Sequence, residues 1–166
     1  MSRKHISRMQ ITGYYPGAIG HVTQYHAVYY HNIWGFDISF EIQVSSELSE
    51  FMSRFNADAD GIWIGKIDGR FAGSIAIDGN SGEEGARLRW FITAPELHGA
   101  GVGKRLLKAA IRFCETAGHR RVFLWTFEGL DAARLLYEKE GFRLVKEHEV
   151  EQWGRIIKEQ LFELTR

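Results

Sequence analysis

Phe91-Ile92-Thr93-Ala94-Pro95-Glu96-Leu97-His98-Gly99-Ala100-Gly101-Val102-Gly103-Lys104-Arg105-Leu106-Leu107 is the stretch that decides the fold. Its apolar start reads as the end of a strand running from Arg87 to Thr93, which Ala94-Pro95 stops because a residue before proline avoids helical geometry. Val102, Leu106, Ala110, Phe113 and Ala117 then mark one face of a helix that Gly118 terminates. A strand thus delivers the chain to a glycine-rich turn that opens directly into a helix. Unpaired backbone N–H groups and the positive end of the helix dipole converge there, which suits a pyrophosphate. The glycines let backbone approach the phosphates, and Lys104 adds positive charge.

Spacing separates this turn from other phosphate loops. A Walker A loop requires glycine at 98 and Ser or Thr at 105, where this chain has His98 and Arg105. A dinucleotide fingerprint requires glycine at 104 and an acidic residue closing the next strand, which instead ends Trp125-Thr126. Taken alone, the loop leaves a glycine-rich turn without a ligand open.

Outward from the loop the pattern changes period. Towards the amino terminus, Ile62-Trp63-Ile64 and Phe71 to Ile77 are strand-like, and Asp68-Gly69 between them marks a two-residue hairpin, since glycine tolerates positive φ. Ile19, Val22, Tyr25, His26, Tyr29 and Ile33 recur at helical spacing after Pro16, which suits a first helical turn. A second helix is expected over Phe36 to Phe55, where Phe36, Phe40, Val44, Leu48 and Met52 recur at every fourth position. A short strand lies around Met9 to Thr12. Towards the carboxyl terminus come a strand, Arg121 to Thr126, and a helix, Asp131 to Glu140, closed by Gly141. Two further strands run from about Phe142 to Val150 and Arg155 to Leu164. The order β-α-α-β-β-β-α-β-α-β-β argues an α/β fold of α+β type, a mixed sheet with helices on both faces.

Bulk properties narrow the function. The chain of 166 residues, 45% hydrophobic, fits one domain. Lys plus Arg and Asp plus Glu both number 21, so no global field favours nucleic acid or an acidic membrane. Met1 to His5 is charged and is not followed by the apolar core of a signal peptide, and no stretch approaches membrane-spanning length. The lone Cys114 excludes an intramolecular disulfide. A cytoplasmic location is expected. His21, His26 and His31, spaced by five, turn about 140° from one another on a helix and form no common metal-binding face. Cys114, beside Phe113, is expected in the core.

Two motifs together carry a resemblance. His98-Gly99-Ala100-Gly101-Val102-Gly103 resembles the coenzyme A loop of the GNAT superfamily, Arg/Gln-x-x-Gly-x-Gly/Ala, with His at the first position. One strand and one helix later, Leu136-Tyr137-Glu138-Lys139-Glu140-Gly141-Phe142 resembles that family's Leu-Tyr-x-Lys-x-Gly-Phe. The segment Tyr29 to Glu41 is further similar to GNAT domains that often follow MarR-type repressor domains, although no repressor domain is expected here. The resemblance covers nearly the whole chain and implies one N-acetyltransferase domain over 1–166 with a mostly antiparallel central sheet.

It also implies a site. Acetyl-coenzyme A would lie where the strand Leu88 to Thr93 splays from Val122 to Thr126. Backbone of Phe91, Ile92 and Thr93 would pair with the pantetheine arm, with Thr126 and Arg134 contributing to the coenzyme site and His98, Gly99, Ala100, Gly101, Val102, Gly103 and Lys104 holding the pyrophosphate. Tyr137 matches the family tyrosine that protonates the departing thiolate. Direct attack by an amine is implied, on a small-molecule or peptide acceptor, with no metal and with a homodimer left open. Because an amine of lysine type has a pKa of about 10.4, a base is useful. Glu128 ranks first, ahead of Glu83, Glu84 and Glu41, with a solvated loop carboxylate as the commoner role. The family often has Asn seven residues before the tyrosine, where this chain has Leu130, which cannot hydrogen-bond to the pantetheine. Tyr30, Trp34 and Phe36 are candidates for the acceptor pocket, with ordinary packing the alternative. A coenzyme A-binding sensor without turnover is the second reading.

Overall fold

The computed structural model describes residues 8–166, so the reading of Met1 to His5 lies outside the described residues. The elements are β1 (Gln10–Thr12), α1 (Ala18–Trp34), α2 (Ile38–Ser53), β2 (Gly61–Ile67), β3 (Arg70–Asp78), β4 (Ala86–Thr93), α3 (Val102–Ala117), β5 (Arg121–Phe127), α4 (Asp131–Lys139), β6 (Arg143–Gln152) and β7 (Arg155–Thr165). The strands form one sheet in the order β1-β2-β3-β4-β5-β7-β6. Every neighbouring pair is antiparallel except β4 and β5. This is the mixed sheet that the pattern of elements implied, and it is mostly antiparallel, as the resemblance implied.

Strand alternation divides the core. Ile75, Leu88 and Leu124 pack with Leu106 and Ala110 of α3 on one face. Ala76, Ile64 and Ile92 pack with Val22 of α1 and with Leu48 and Phe51 of α2 on the other. Asp68 and Gly69 have φ of 50° and 74°, the mirror-image turn that matches the twist of β2 and β3.

Four local readings shift. Pro16 sits in a turn ahead of α1, which begins at Ala18. The expected second helix begins two residues late, because Asp37 caps it by accepting a hydrogen bond from the Ser39 amide at 2.9 Å. A spacing of four drifts about 40° per step on a 3.6-residue helix. By the end of α2 the row has therefore rotated off the core, and Phe51, not Met52, is fully buried. Ile33, at the end of the α1 row, is 63% exposed.

Two irregularities open the sheet at its centre. β4 and β5 pair only at Ala86–Val122 and Arg87–Phe123, and their remaining lengths diverge. β4 also carries an extra residue. Ala76 of β3 faces Arg89, but Ser74 faces Ile92, and Trp90 between them has a φ of 48°, a left-handed conformation uncommon for a side chain of that size. The Ser74 hydroxyl donates to the Trp90 carbonyl at 2.8 Å and secures the bulge.

Candidate active site

The divergence of β4 from β5 opens a cavity of about 780 Å³. One arm ends at the start of α3. Gly101, with a φ of 94°, precedes the helix, and no side chain caps it, so its first amides have no side-chain partner. A side chain on Gly99 or Gly101 would meet nothing within 4 Å, so the backbone lies open on that side. Gly103, Lys104 and Val102 also line this arm. A Cβ on Gly103 would sit 3.2 Å from Leu136, Phe91 and Thr93, so glycine lets α3, β4 and α4 close on one another. Uncapped amides, clear backbone and a lysine fit a pyrophosphate.

His98 explains its own departure from the expected motif. Its Nε2 donates to the Thr93 carbonyl at 3.1 Å and its ring meets Tyr29 edge-on at 5.7 Å. The imidazole thus ties the loop to β4 and α1. Ala100 does not line the cavity and packs against the core.

Tyr137 stands in the wall where the arms meet. It is 5% exposed, with rings of Phe91 and Phe142 each 5.8 Å away and that of Phe162 at 6.2 Å. Burial, then the neighbouring Tyr30, pushes its phenol well above the ordinary tyrosine range, so it stays protonated. No hydrogen bond to its hydroxyl occurs among the described residues. Phe91, Ile92, Thr93 and Thr126 line the slot on its two sides.

The second arm is walled by side chains from distant segments. Tyr30 and Trp34 of α1 line it. Gly129 leaves room for the Trp34 indole, with which an added Cβ would collide. Phe36 does not line the cavity; it is 1% exposed and stacks behind Tyr30, 5.7 Å away, as a supporting layer. Its exclusion follows from the end of α1, where Phe36 and Gly35 donate backbone bonds to Tyr30 and His31 and fold the chain inward. Trp153, at the tip of the β6–β7 hairpin, reaches this wall, and its Nε1 donates to Gln43 at 2.8 Å. Sequence reading passed over Trp153, although Trp153-Gly154 sits between two strands as a turn dipeptide.

The acidic residues redistribute. Glu128 does not line the cavity; its carboxylate lies 3.7 Å from Lys158 at the exposed surface. Glu41, Glu83 and Glu84 are exposed and also outside the wall. Glu47 and Glu159 do line it, and neither stands out in sequence. Glu47 pairs with Arg89 at 2.6 Å, and Glu159 lies 3.2 Å from His148. Arg134 is outside the wall, bonded to Glu138 at 2.7 Å. Leu130, packed against the same apolar cluster as Trp34, presents an apolar surface to the slot.

Two buried polar groups support the walls. Asp78 is fully buried. Burial raises its carboxyl, but hydrogen bonds from Arg54 and the Asn80 amide, with the charges of Arg54 and Arg89, outweigh this and leave it below the ordinary range. His26 of α1 is 5% exposed and lines the cavity. Its Nδ1 donates to the Val22 carbonyl at 2.8 Å, which leaves Nε2 as an acceptor. Burial lowers its pKa to about 4, so it is neutral at physiological pH. Cys114 is buried and its thiol is pushed up to about 12, as expected of a core residue. Among the described residues, no cluster of His, Cys, Asp and Glu has the arrangement of a metal site, and no helix is long and apolar enough to cross a membrane.

The sequence profile of the acetyltransferase (GNAT) family matches residues 25–142, from α1 through the tyrosine helix. The chain belongs to that family. An uncharacterized N-acetyltransferase of Methanocaldococcus jannaschii is 28% identical over 106 residues, 61% of this chain. The matched region is 46% of that relative, so the chain spans about half the length of the curated relative it matches. Among solved structures, a ribosomal-protein-alanine N-acetyltransferase from Brucella melitensis superposes with a TM-score of 0.76 at 14% identity, covering 95% of this chain and 99% of the other. The protein yncA from Salmonella typhimurium, solved with its cofactor acetyl-CoA, gives a TM-score of 0.71 at 16% identity over 95% and 94% of the two chains. These likenesses establish the fold.

Proposed function

We propose that this chain is an acetyl-CoA-dependent N-acetyltransferase that moves an acetyl group to a primary amine by direct attack, with both substrates bound at once. The observation that carries the reading is Tyr137, a buried, protonated phenol without a hydrogen-bond partner among the described residues, in the wall between the phosphate-ready arm and the aromatic arm. Gly99 and the stretch from Gly101 to Lys104 hold the pyrophosphate, and Phe91, Ile92 and Thr93 line the pantetheine arm beside Thr126. Bound acetyl-CoA supplies the activated thioester. The chain's part is to hold the amine near it, where proximity replaces a covalent intermediate. As the new C–N bond forms and the C–S bond breaks, Tyr137 donates its proton to the departing sulfur. Glu159 and Asp131 are carboxylates in the wall that can accept the amine proton, directly or through water, whereas His26, its pKa lowered to about 4, is a weaker base than an ordinary imidazole.

Release of free thiol from acetyl-CoA, followed across a panel of amines, tests the proposal, with calorimetry of acetyl-CoA binding alongside. Thiol release that depends on the amine is expected. Leu130 in place of the family's asparagine, and Glu128 outside the wall, favour the second reading of a coenzyme A-binding sensor. Tight binding without turnover on any amine would select it.

A further inference from the structure

Arg87 is a half-buried cation in the cavity wall with no side-chain hydrogen bond or ion pair among the described residues. It lies opposite Asp78 in the β3–β4 register, on the same face as Arg89. Asp78 is already taken. Arg54 donates to its two oxygens at 3.0 and 2.7 Å, Arg89 reaches it at 3.2 Å and the Asn80 amide at 3.1 Å. Of the other carboxylates near it, Glu47 is held by Arg89 at 2.6 Å, and Glu83 is exposed to solvent with neither a hydrogen bond nor an ion pair to Arg87. Among the described residues Arg87 has no hydrogen bond or ion pair, and its Nε is fully buried with no acceptor. A buried donor of this kind costs stability unless something fills it. Trp34 Nε1, buried and equally without an acceptor, lines the same cavity.

We infer that the acceptor amine carries a carboxylate in the same molecule, and that Arg87 binds it. The inference rests on the acyl-transfer reading. The geometry sets the size of the molecule. Tyr137 packs at the level of Phe91, and Arg87 lies four residues earlier on β4, on the order of 13 Å along a strand, a span to be shared between the acceptor and the arginine's own reach. A planar guanidinium matches a carboxylate bidentately, and the aromatic wall of Tyr30, Trp34 and Trp153 accommodates an apolar remainder. Free α-amino acids and longer ω-amino acids both supply this chemistry.

The test pairs each proteinogenic α-amino acid, and a series of ω-amino acids, with its carboxamide, which keeps the amine and removes the charge. In the wild type the acid should exceed its amide in kcat/KM by roughly 10- to 100-fold, the range of a charged hydrogen bond. Arg87→Gln should collapse that ratio to near one, and Arg87→Lys should retain part of it. The α and ω series identify which source fits. Equal use of acid and amide by the wild type, or an unchanged ratio in Arg87→Gln with its melting temperature intact, overturns the inference. The same pairs are titrated calorimetrically into protein loaded with coenzyme A. Acids that bind the wild type but not Arg87→Gln, with no turnover on any amine, would sustain the carboxylate site and remove the acyl-transfer reading. Amine-dependent thiol release with no affinity for any acid would do the reverse.

Discussion

The two arms of the cavity are built from different material. The phosphate arm is backbone, an uncapped helix start with glycines where side chains would intrude, all within one short run of sequence. The aromatic arm is side chain, drawn from α1, α2, β4, β5 and the β6–β7 hairpin. Backbone amides bind any phosphate chain in the same way, whereas side chains differ with every substrate. The contrast implies that the first arm is generic and that the second holds the specificity.

Tyr137 tests where the arms divide, and carries the largest expected effect. Tyr137→Phe keeps the ring packed against Phe91, Phe142 and Phe162 and removes only the hydroxyl. Turnover should fall roughly ten- to a thousandfold, the size of a general-acid contribution, with acetyl-CoA affinity nearly unchanged. If calorimetry shows affinity falling in step with turnover, the hydroxyl belongs to the binding arm.

His26 sharpens the comparison through pH. The folded imidazole titrates near 4, below its ordinary value of 6.5, so the unfolded chain takes up the proton first. Its contribution to stability is therefore complete above pH ~6.5 and is lost as pH falls towards ~4. Urea unfolding should show about 2 kcal/mol lost from this group between about pH 7 and about pH 5. His26→Gln should flatten that slope; an unchanged slope would place the titration elsewhere.

Gly103→Ala has the smallest expected effect and probes the generic arm. Its Cβ would meet Leu136, Phe91 and Thr93 at 3.2 Å, so neighbours must shift by a few tenths of an ångström. Alanine also favours the helix by about 1 kcal/mol over glycine, which offsets the crowding in the fold. Acetyl-CoA affinity should weaken by roughly tenfold, about 1.4 kcal/mol, with the melting temperature little changed. Gly101 is a poorer probe, because at a φ of 94° any side chain strains the backbone. Unaltered affinity in Gly103→Ala would move the phosphate site off this turn.

What the sequence determined by itself is local. The element order, the Asp68-Gly69 hairpin, the strand–glycine turn–helix unit and the tyrosine helix all follow from periodicity and from glycine and proline geometry over a few neighbouring residues. What only the tertiary structure decided is which side chains share a wall. Phe36 and Trp34 are two residues apart, yet one lies behind the cavity and the other lines it. Glu128, best placed by sequence, pairs with Lys158 outside the wall, while His26, Glu159 and Trp153 arrive from segments far apart in the chain. Arg54 and Arg89 converge on Asp78 and leave Arg87, its register partner across the sheet, unsatisfied, an outcome that depends on where α2 lies. Sequence spacing encodes no such competition, because hydrogen-bond partners are set by distances across the sheet and not by separation along the chain.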